Sequence, residues 1–199
     1  MARQKAASAE VREQAAPAKC NEPTKWSDAP CWLRVANQPS CYLWAENIRG
    51  RDSVEWSGQC KNGVADGHGG GIWRNVDDNL YYFVTAGSFV DGKRRGSWVE
   101  WMIFVYTGEA EEGFVGEGAY VDGKRHGYWV TRHPDGDVYE EGHYVNGEEH
   151  GKWVSHPFGD VVWESDYVNG KRHGYRIVRN ADGTVVKREC WENGKEVDC

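Results

Sequence analysis

The chain has 199 residues, enough for one ordinary domain or one short repeat array and too few for two full domains. Only 39% of it is hydrophobic, yet it carries 11 Trp, 10 Tyr and 25 Gly, so large rings must supply much of the buried area, which suits a thin β-structure better than a helical bundle. A net charge of −7 lacks the positive field that general nucleic-acid binding needs and argues against broad attraction to an anionic membrane surface.

Residues 1–19 are rich in Ala, Gln and charge without a sustained apolar stripe, and are expected to be a mobile N-terminal segment. They contain no apolar stretch of the secretory-signal kind. Residues 20–53 carry Cys and Trp and are expected to cap the array that follows, since a repeat stack must cover the exposed rings of its first unit. Cys41 to Trp44 and Val54 to Cys60 flank a polar turn at 47–52, and folding them as a hairpin brings Cys41 opposite Cys60. Cys20 with Cys31, and Cys190 with Cys199, are the default local pairs, with other connectivities open. All six cysteines sit at the two ends, where staples against fraying belong. Three disulfides imply an oxidising compartment, so a periplasmic or extracellular location with its signal removed is expected, the alternative being cytoplasmic.

Residues 54–199 are repetitive. The segment Tyr120-Val-Asp-Gly-Lys-Arg-His-Gly127-Tyr-Trp129 recurs from Tyr144 to Trp153 and from Tyr167 to Arg176, with an earlier copy from Phe89 to Trp98. A degenerate copy starts at Cys60 and a truncated one at Trp191. The turn glycines Gly63, Gly92, Gly123, Gly147, Gly170 and Gly194 are separated by 29, 31, 24, 23 and 24 residues, and each follows by five a residue of the series Gly58, Gly87, Gly118, Gly142, Ser165 and Glu189. Asn-Gly or Asp-Gly between alternating segments is a tight-hairpin signal, because such turns need positive φ. In Val161 to Tyr167, period two places Trp163, Ser165 and Tyr167 on one face and Val162, Glu164 and Asp166 on the other, as in a half-buried antiparallel strand. The small residue between two aromatics leaves room for a neighbouring ring to lie across the backbone.

These residues resemble the MORN repeat (membrane occupation and recognition nexus), over roughly residues 54–195. The resemblance implies an all-β, elongated, single-layer antiparallel sheet of successive β-hairpins, here with a disulfide-stapled N-terminal cap and an aromatic-lined groove. Trp98, Trp129, Trp153 and Arg176 stand where the family pattern has a closing glycine, while Gly69 keeps it. In that respect the chain is more similar to bacterial MORN-like proteins, some of them antitoxins, than to membrane-linked eukaryotic ones.

Between the second and third copies, the run from Trp98 through Tyr106 to Gly113 predicts an extended hairpin projecting past its neighbours. Trp101 to Tyr106 is apolar at both parities and too short to span a bilayer. It is either a locally thicker core or a contact site in which Trp101, Phe104 and Tyr106 meet a partner. Trp98, Trp129 and Trp153 are either the packed core or, on an open face, an aromatic strip for an extended peptide or a sugar.

Other constellations carry less. His126, His150 and His173 share one repeat position about 9–10 Å apart, too far for one zinc ion, and are expected to contact the turns. His133 and His156 form a shorter ladder of the same kind. The pairs Lys93-Arg94, Lys124-Arg125 and Lys171-Arg172, interrupted by Glu148-Glu149, are expected to be solvated turn tips, and the acidic clusters at 109–117 and 140–141 sit beside no recognisable pocket. No nucleophile elbow, phosphate loop or metalloprotease motif occurs, and no metal or cofactor is called for. The expected function is a non-enzymatic scaffold that binds another protein, with a cell-envelope glycan or peptidoglycan binder, or an immunity or antitoxin protein, as alternatives.

Overall fold

The computed structural model describes residues 31–45, 53–74, 81–106, 108–158 and 160–199. The expected segment 1–19, Cys20 and the turn 47–52 lie outside the described residues. Fifteen strands follow one another without a helix among the described residues: β1 (Cys31–Arg34), β2 (Tyr42–Ala45), β3 (Ser53–Trp56), β4 (Gln59–Lys61), β5 (Val64–Arg74), β6 (Tyr81–Val90), β7 (Lys93–Tyr106), β8 (Glu109–Val121), β9 (Lys124–Arg132), β10 (Val138–Val145), β11 (Glu148–Phe158), β12 (Val161–Val168), β13 (Lys171–Arg179), β14 (Val185–Glu192) and β15 (Lys195–Val197). From β5 onward each strand pairs with the next, so the molecule is a single open sheet of consecutive antiparallel hairpins.

The turns explain this regularity. At every one, the residue before the glycine has φ between 49° and 52° (Asn62, Asp91, Asp122, Asn146, Asn169, Asn193) and the glycine itself is left-handed. Two successive positive φ angles match the right-handed twist of the flanking strands, which is why Asn-Gly and Asp-Gly recur there. Four residues later a second left-handed glycine (Gly67, Gly96, Gly127, Gly151, Gly174) follows. In most of these hairpins the register slips at that point, as between Glu117 and Ala119 or between Glu141 and His143, giving each a bulge. Gly147, with φ 89°, tests the turn assignment: Gly147→Val should lower stability by about 1 kcal/mol or more, read as a fall in melting temperature.

The N-terminal strands depart from the expected hairpin. Strand β2 pairs with β1 and touches β5 through one parallel bridge, Tyr42 to Val64, while β3 pairs with the far end of β5 and β4 with its near end. Two short strands fill the free edge of eleven-residue β5, and Val35 and Ala36 meet the other edge of β3 at Val54 through a parallel bridge, so β2 does not pair with β3. Cys41 and Cys60 are nonetheless bonded, with Cα atoms 5.8 Å apart, because β2 and β4 meet at the same residue of β5. Val35, Cys41, Leu43 and Ala45 bury themselves against Val54, Trp56 and Ala65 over the first hairpin. The second described bridge joins Cys190 to Cys199 across the last strand pair, so both ends are stapled, and two disulfides indicate an oxidising compartment.

Strands β7 and β8, 14 and 13 residues long, pair as far as Tyr106 with Glu109 and project past β9, which ends where Arg132 pairs with Val115, but not past both neighbours as expected, since β6 follows β7 as far as Tyr81 with Phe104.

Candidate functional site

The ladder face is built on rings lying over glycines. A Cβ at Gly87 would sit 2.2 Å from the Trp98 ring, and the same holds for Gly118 beneath Trp129 and Gly142 beneath Trp153. In the first copy, where Gly69 replaces the tryptophan, Trp56 from β3 fills the space, lying against Gly58 and Gly69. The rings then meet edge to face in an unbroken series: Trp56, Phe89, Trp98, Tyr120, Trp129, Tyr144, Trp153 and Tyr167, with successive centroids 4.9 to 6.4 Å apart. Each such pair adds roughly 0.5–1.5 kcal/mol beyond area burial. Trp98, Trp129 and Trp153 are therefore core, with 1%, 3% and 9% of their surface exposed.

Over these rings lies a layer of arginines that the sequence reading placed in solvent. Period two puts Lys93 and Arg94 on opposite faces, and Arg94 shares the ladder face with Trp98. Its guanidinium sits 4.7, 4.9 and 5.0 Å from the ring centroids of Trp73, Trp98 and Tyr120, and Arg125 sits 4.3 Å over Trp129. Both cations converge on Glu100. Arg94 donates to Oε1 at 2.6 Å, Arg125 to Oε2 at 2.7 Å, and the Tyr120 hydroxyl to Oε1 at 2.7 Å. Burial alone pushes the Glu100 carboxyl up, but the charges of Arg94 and Arg125, with the Tyr120 hydrogen bond, outweigh it and hold the group below its usual range. The cluster is a fully paired polar network over an aromatic floor, and its chemistry is structural.

Past Tyr167 the ladder changes character. Arg176, in the tryptophan position, stacks 4.4 Å over Trp163 and bonds Glu189 at 2.9 Å, and Lys187 also bonds Glu189. The hydrogen bonds from Lys187 and Arg176 hold the Glu189 carboxyl well below the ordinary carboxylate range.

The opposite face is the more open one. Val90, Val121, Val145 and Val168, each one residue before its turn pair, are 41–46% exposed and line one edge. A second row runs across the sheet in register, Val99, Glu117, Val130, Glu141, Val154, Glu164 and Ile177, alternating aliphatic and acidic side chains from strand to strand. Tyr128 and Tyr175, two hairpins apart, are half exposed, and Tyr128 donates its hydroxyl to Glu141. Half-buried Trp101 joins this face beside Val84 and Val115. Comparison with protein-family models and with curated proteins found no match. The reading therefore rests on this geometry.

The expected contact residues thus separate. Trp98, Trp129 and Trp153 lie in the ladder, Trp101 on the opposite face, and Phe104 on the ladder face, where a Cβ at Gly113 would stand 2.6 Å from its ring. The side chain of Tyr106 lies outside the described residues. Of the repeat histidines, His126 contacts a turn as expected, its Nδ1 accepting from the Asn146 N–H at 3.5 Å. His143 went unnoticed in the sequence; it pairs across β10 and β11 with His150 and packs on Tyr128 with centroids 5.5 Å apart. Among the described residues, no helix is long and apolar enough to cross a membrane.

Proposed function

We propose that this chain is a non-enzymatic MORN-like scaffold of the periplasm or cell exterior that binds another protein across the face opposite its ring ladder. The observation carrying this reading is the exposed valine edge at Val90, Val121, Val145 and Val168, joined to Tyr128, Tyr175 and Trp101 on one continuous sheet surface. An aliphatic row at constant pitch costs solvation in a free monomer and gains it back under a flat partner. Interspersed glutamates at 117 and 141 would set register against a partner bearing cations, Glu164 being already paired with Lys152 and Arg179. The sugar-binding alternative loses the tryptophan strip that motivated it, since those rings are spent within the ladder.

The test is crosslinking capture from the native envelope followed by variants. Trp101→Ala and the pair Val121→Asp with Val145→Asp should each weaken capture about tenfold or more while leaving the melting temperature within a few degrees. Equal capture by these folded variants, or no protein partner at all, would remove the proposal.

A further inference from the structure

The hairpin tips are tied to one another by a recurring backbone bond. At five of the six Asn-Gly or Asp-Gly turns, the glycine N–H donates to the carbonyl of the residue two places after the preceding turn glycine. Gly92 donates to Ala65, Gly123 to Arg94, Gly147 to Arg125, Gly170 to Glu149 and Gly194 to Arg172, at 2.8–3.0 Å. The acceptor always comes from the hairpin before, so the first turn has none to use. Among the described residues the Gly63 N–H meets no acceptor, and that turn is held through its carbonyl, which accepts from the Tyr42 N–H at 2.9 Å. Asn62, with φ 52°, is exposed beside it.

An unbonded nitrogen here has a chemical consequence. When glycine follows asparagine, no Cβ shields the glycine nitrogen from the asparagine side-chain carbonyl. The nitrogen can form a bond to Cγ while the bond from Cγ to the side-chain NH2 breaks, and ammonia leaves with the proton that the backbone nitrogen carried. Water then opens the five-membered imide at one carbonyl or the other, giving aspartate or isoaspartate. Four turns hold the asparagine this needs: Asn62, Asn146, Asn169 and Asn193. In the last three the attacking nitrogen must first give up its bond to the neighbouring hairpin. At Asn62 there is no such bond to give up.

We propose that Asn62 is a spontaneous modification site of the folded chain, losing its side-chain amide through attack by the Gly63 nitrogen and hydrolysis by water, while the other three Asn-Gly turns are protected by their place in the stack. The change falls at the joint between cap and array. Isoaspartate adds a methylene to the main chain inside the turn that sets the register of β4 and β5, beside the parallel bridge from Tyr42 to Val64. The bond between Cys41 and Cys60 spans the same joint and holds it covalently. None of this depends on the partner-binding surface.

The full, disulfide-bonded chain should be aged in mildly alkaline buffer and digested, and its four Asn-Gly peptides followed by mass and by ammonia release. A parallel sample, reduced and unfolded in urea, supplies the reference rate for each site. Divided by that reference, the rate at Asn62 in the folded chain should exceed those at Asn146, Asn169 and Asn193 by about fivefold or more, the discrimination that one backbone hydrogen bond supplies. Asn193 separates bonding from fraying, since it too lies in a terminal hairpin but its Gly194 N–H is bonded to Arg172. Asn62→Asp, which copies Asp91 and Asp122 at the same turn position, should abolish the early ammonia and leave melting unchanged. Equal normalised rates at all four turns, Asn193 keeping pace with Asn62, or early ammonia undiminished in Asn62→Asp overturns the assignment.

Discussion

Gly118→Ala is expected to lower stability by roughly 3 kcal/mol, a large effect for one methyl group on a glycine whose backbone alanine could adopt. The cause is steric. The added Cβ would fall 2.2, 2.3 and 2.5 Å from Cδ2, Cε2 and Cγ of Trp129. The ring has nowhere to go, since its Nε1 donates to the Ala119 carbonyl at 3.0 Å, Arg125 covers its other face at 4.3 Å, and Tyr120 and Tyr144 abut it at 5.3 and 6.2 Å. Tilting away would break the ladder on both sides. A melting experiment should show a fall of about 6–12 °C for a chain of this size. The decisive control is a double-mutant cycle. With Trp129→Ala already in place, alanine at 118 should add less than about 0.5 kcal/mol, because the ring that its three nearest contacts belong to is gone. Full additivity would mean that the ring does not lie over Gly118.

Glu100→Gln is expected to cost about 3 kcal/mol, since it leaves the inward-turned Arg94 and its neighbour Arg125 without a counter-charge while keeping shape and one hydrogen-bond acceptor. The sign of its pH dependence is fixed by the direction of the shift. The Glu100 carboxyl is held below its ordinary value near 4.5 in the folded chain. Its contribution is therefore fully present above about pH 4.5 and is lost as pH falls through the lower folded value. Denaturant titrations of parent and variant should differ most near neutrality and converge in strong acid. A constant gap down to the lowest accessible pH would show that the carboxylate is not the charge that holds the two arginines.

Much of this fold was legible because each device is local. Asn146 and Gly147 announce their turn within two residues, and Gly118 lying two before Tyr120 foretells that a ring will cross the backbone there. Folding the segments that flank the polar turn 47–52 as a hairpin was enough to pair Cys41 with Cys60, although the route proved different. What locality hides is competition. β5 accepts both β3 and β4, and nothing in Val54 to Cys60 taken alone says that its partner lies downstream instead of upstream. The arginines were misplaced for another reason. Lys93-Arg94 read as a charged pair points to solvent, whereas the same two residues read by alternation put Arg94 in line with Trp98. That signal was present. Its partnership with Glu100 was half visible, six residues on at the same parity, but Arg125 reaches the same carboxylate from 25 residues away, and only the register of β7, β8 and β9 brings it there.

The handover at Tyr167 from rings to the Arg176–Glu189 ion pair gives the array two ends of different temperament. A strip of buried indoles and phenols is indifferent to electrolyte, and the largely buried Arg176–Glu189 pair is screened little, so the contact that salt reaches is the one from exposed Lys187 to Glu189. Because each hairpin leans only on its neighbours, loosening enters from an extremity and moves inward. Added salt would thus slacken the Lys187 contact on the C-terminal side first, with the bond between Cys190 and Cys199 holding the final strands together while the tryptophan-bearing middle stays closed.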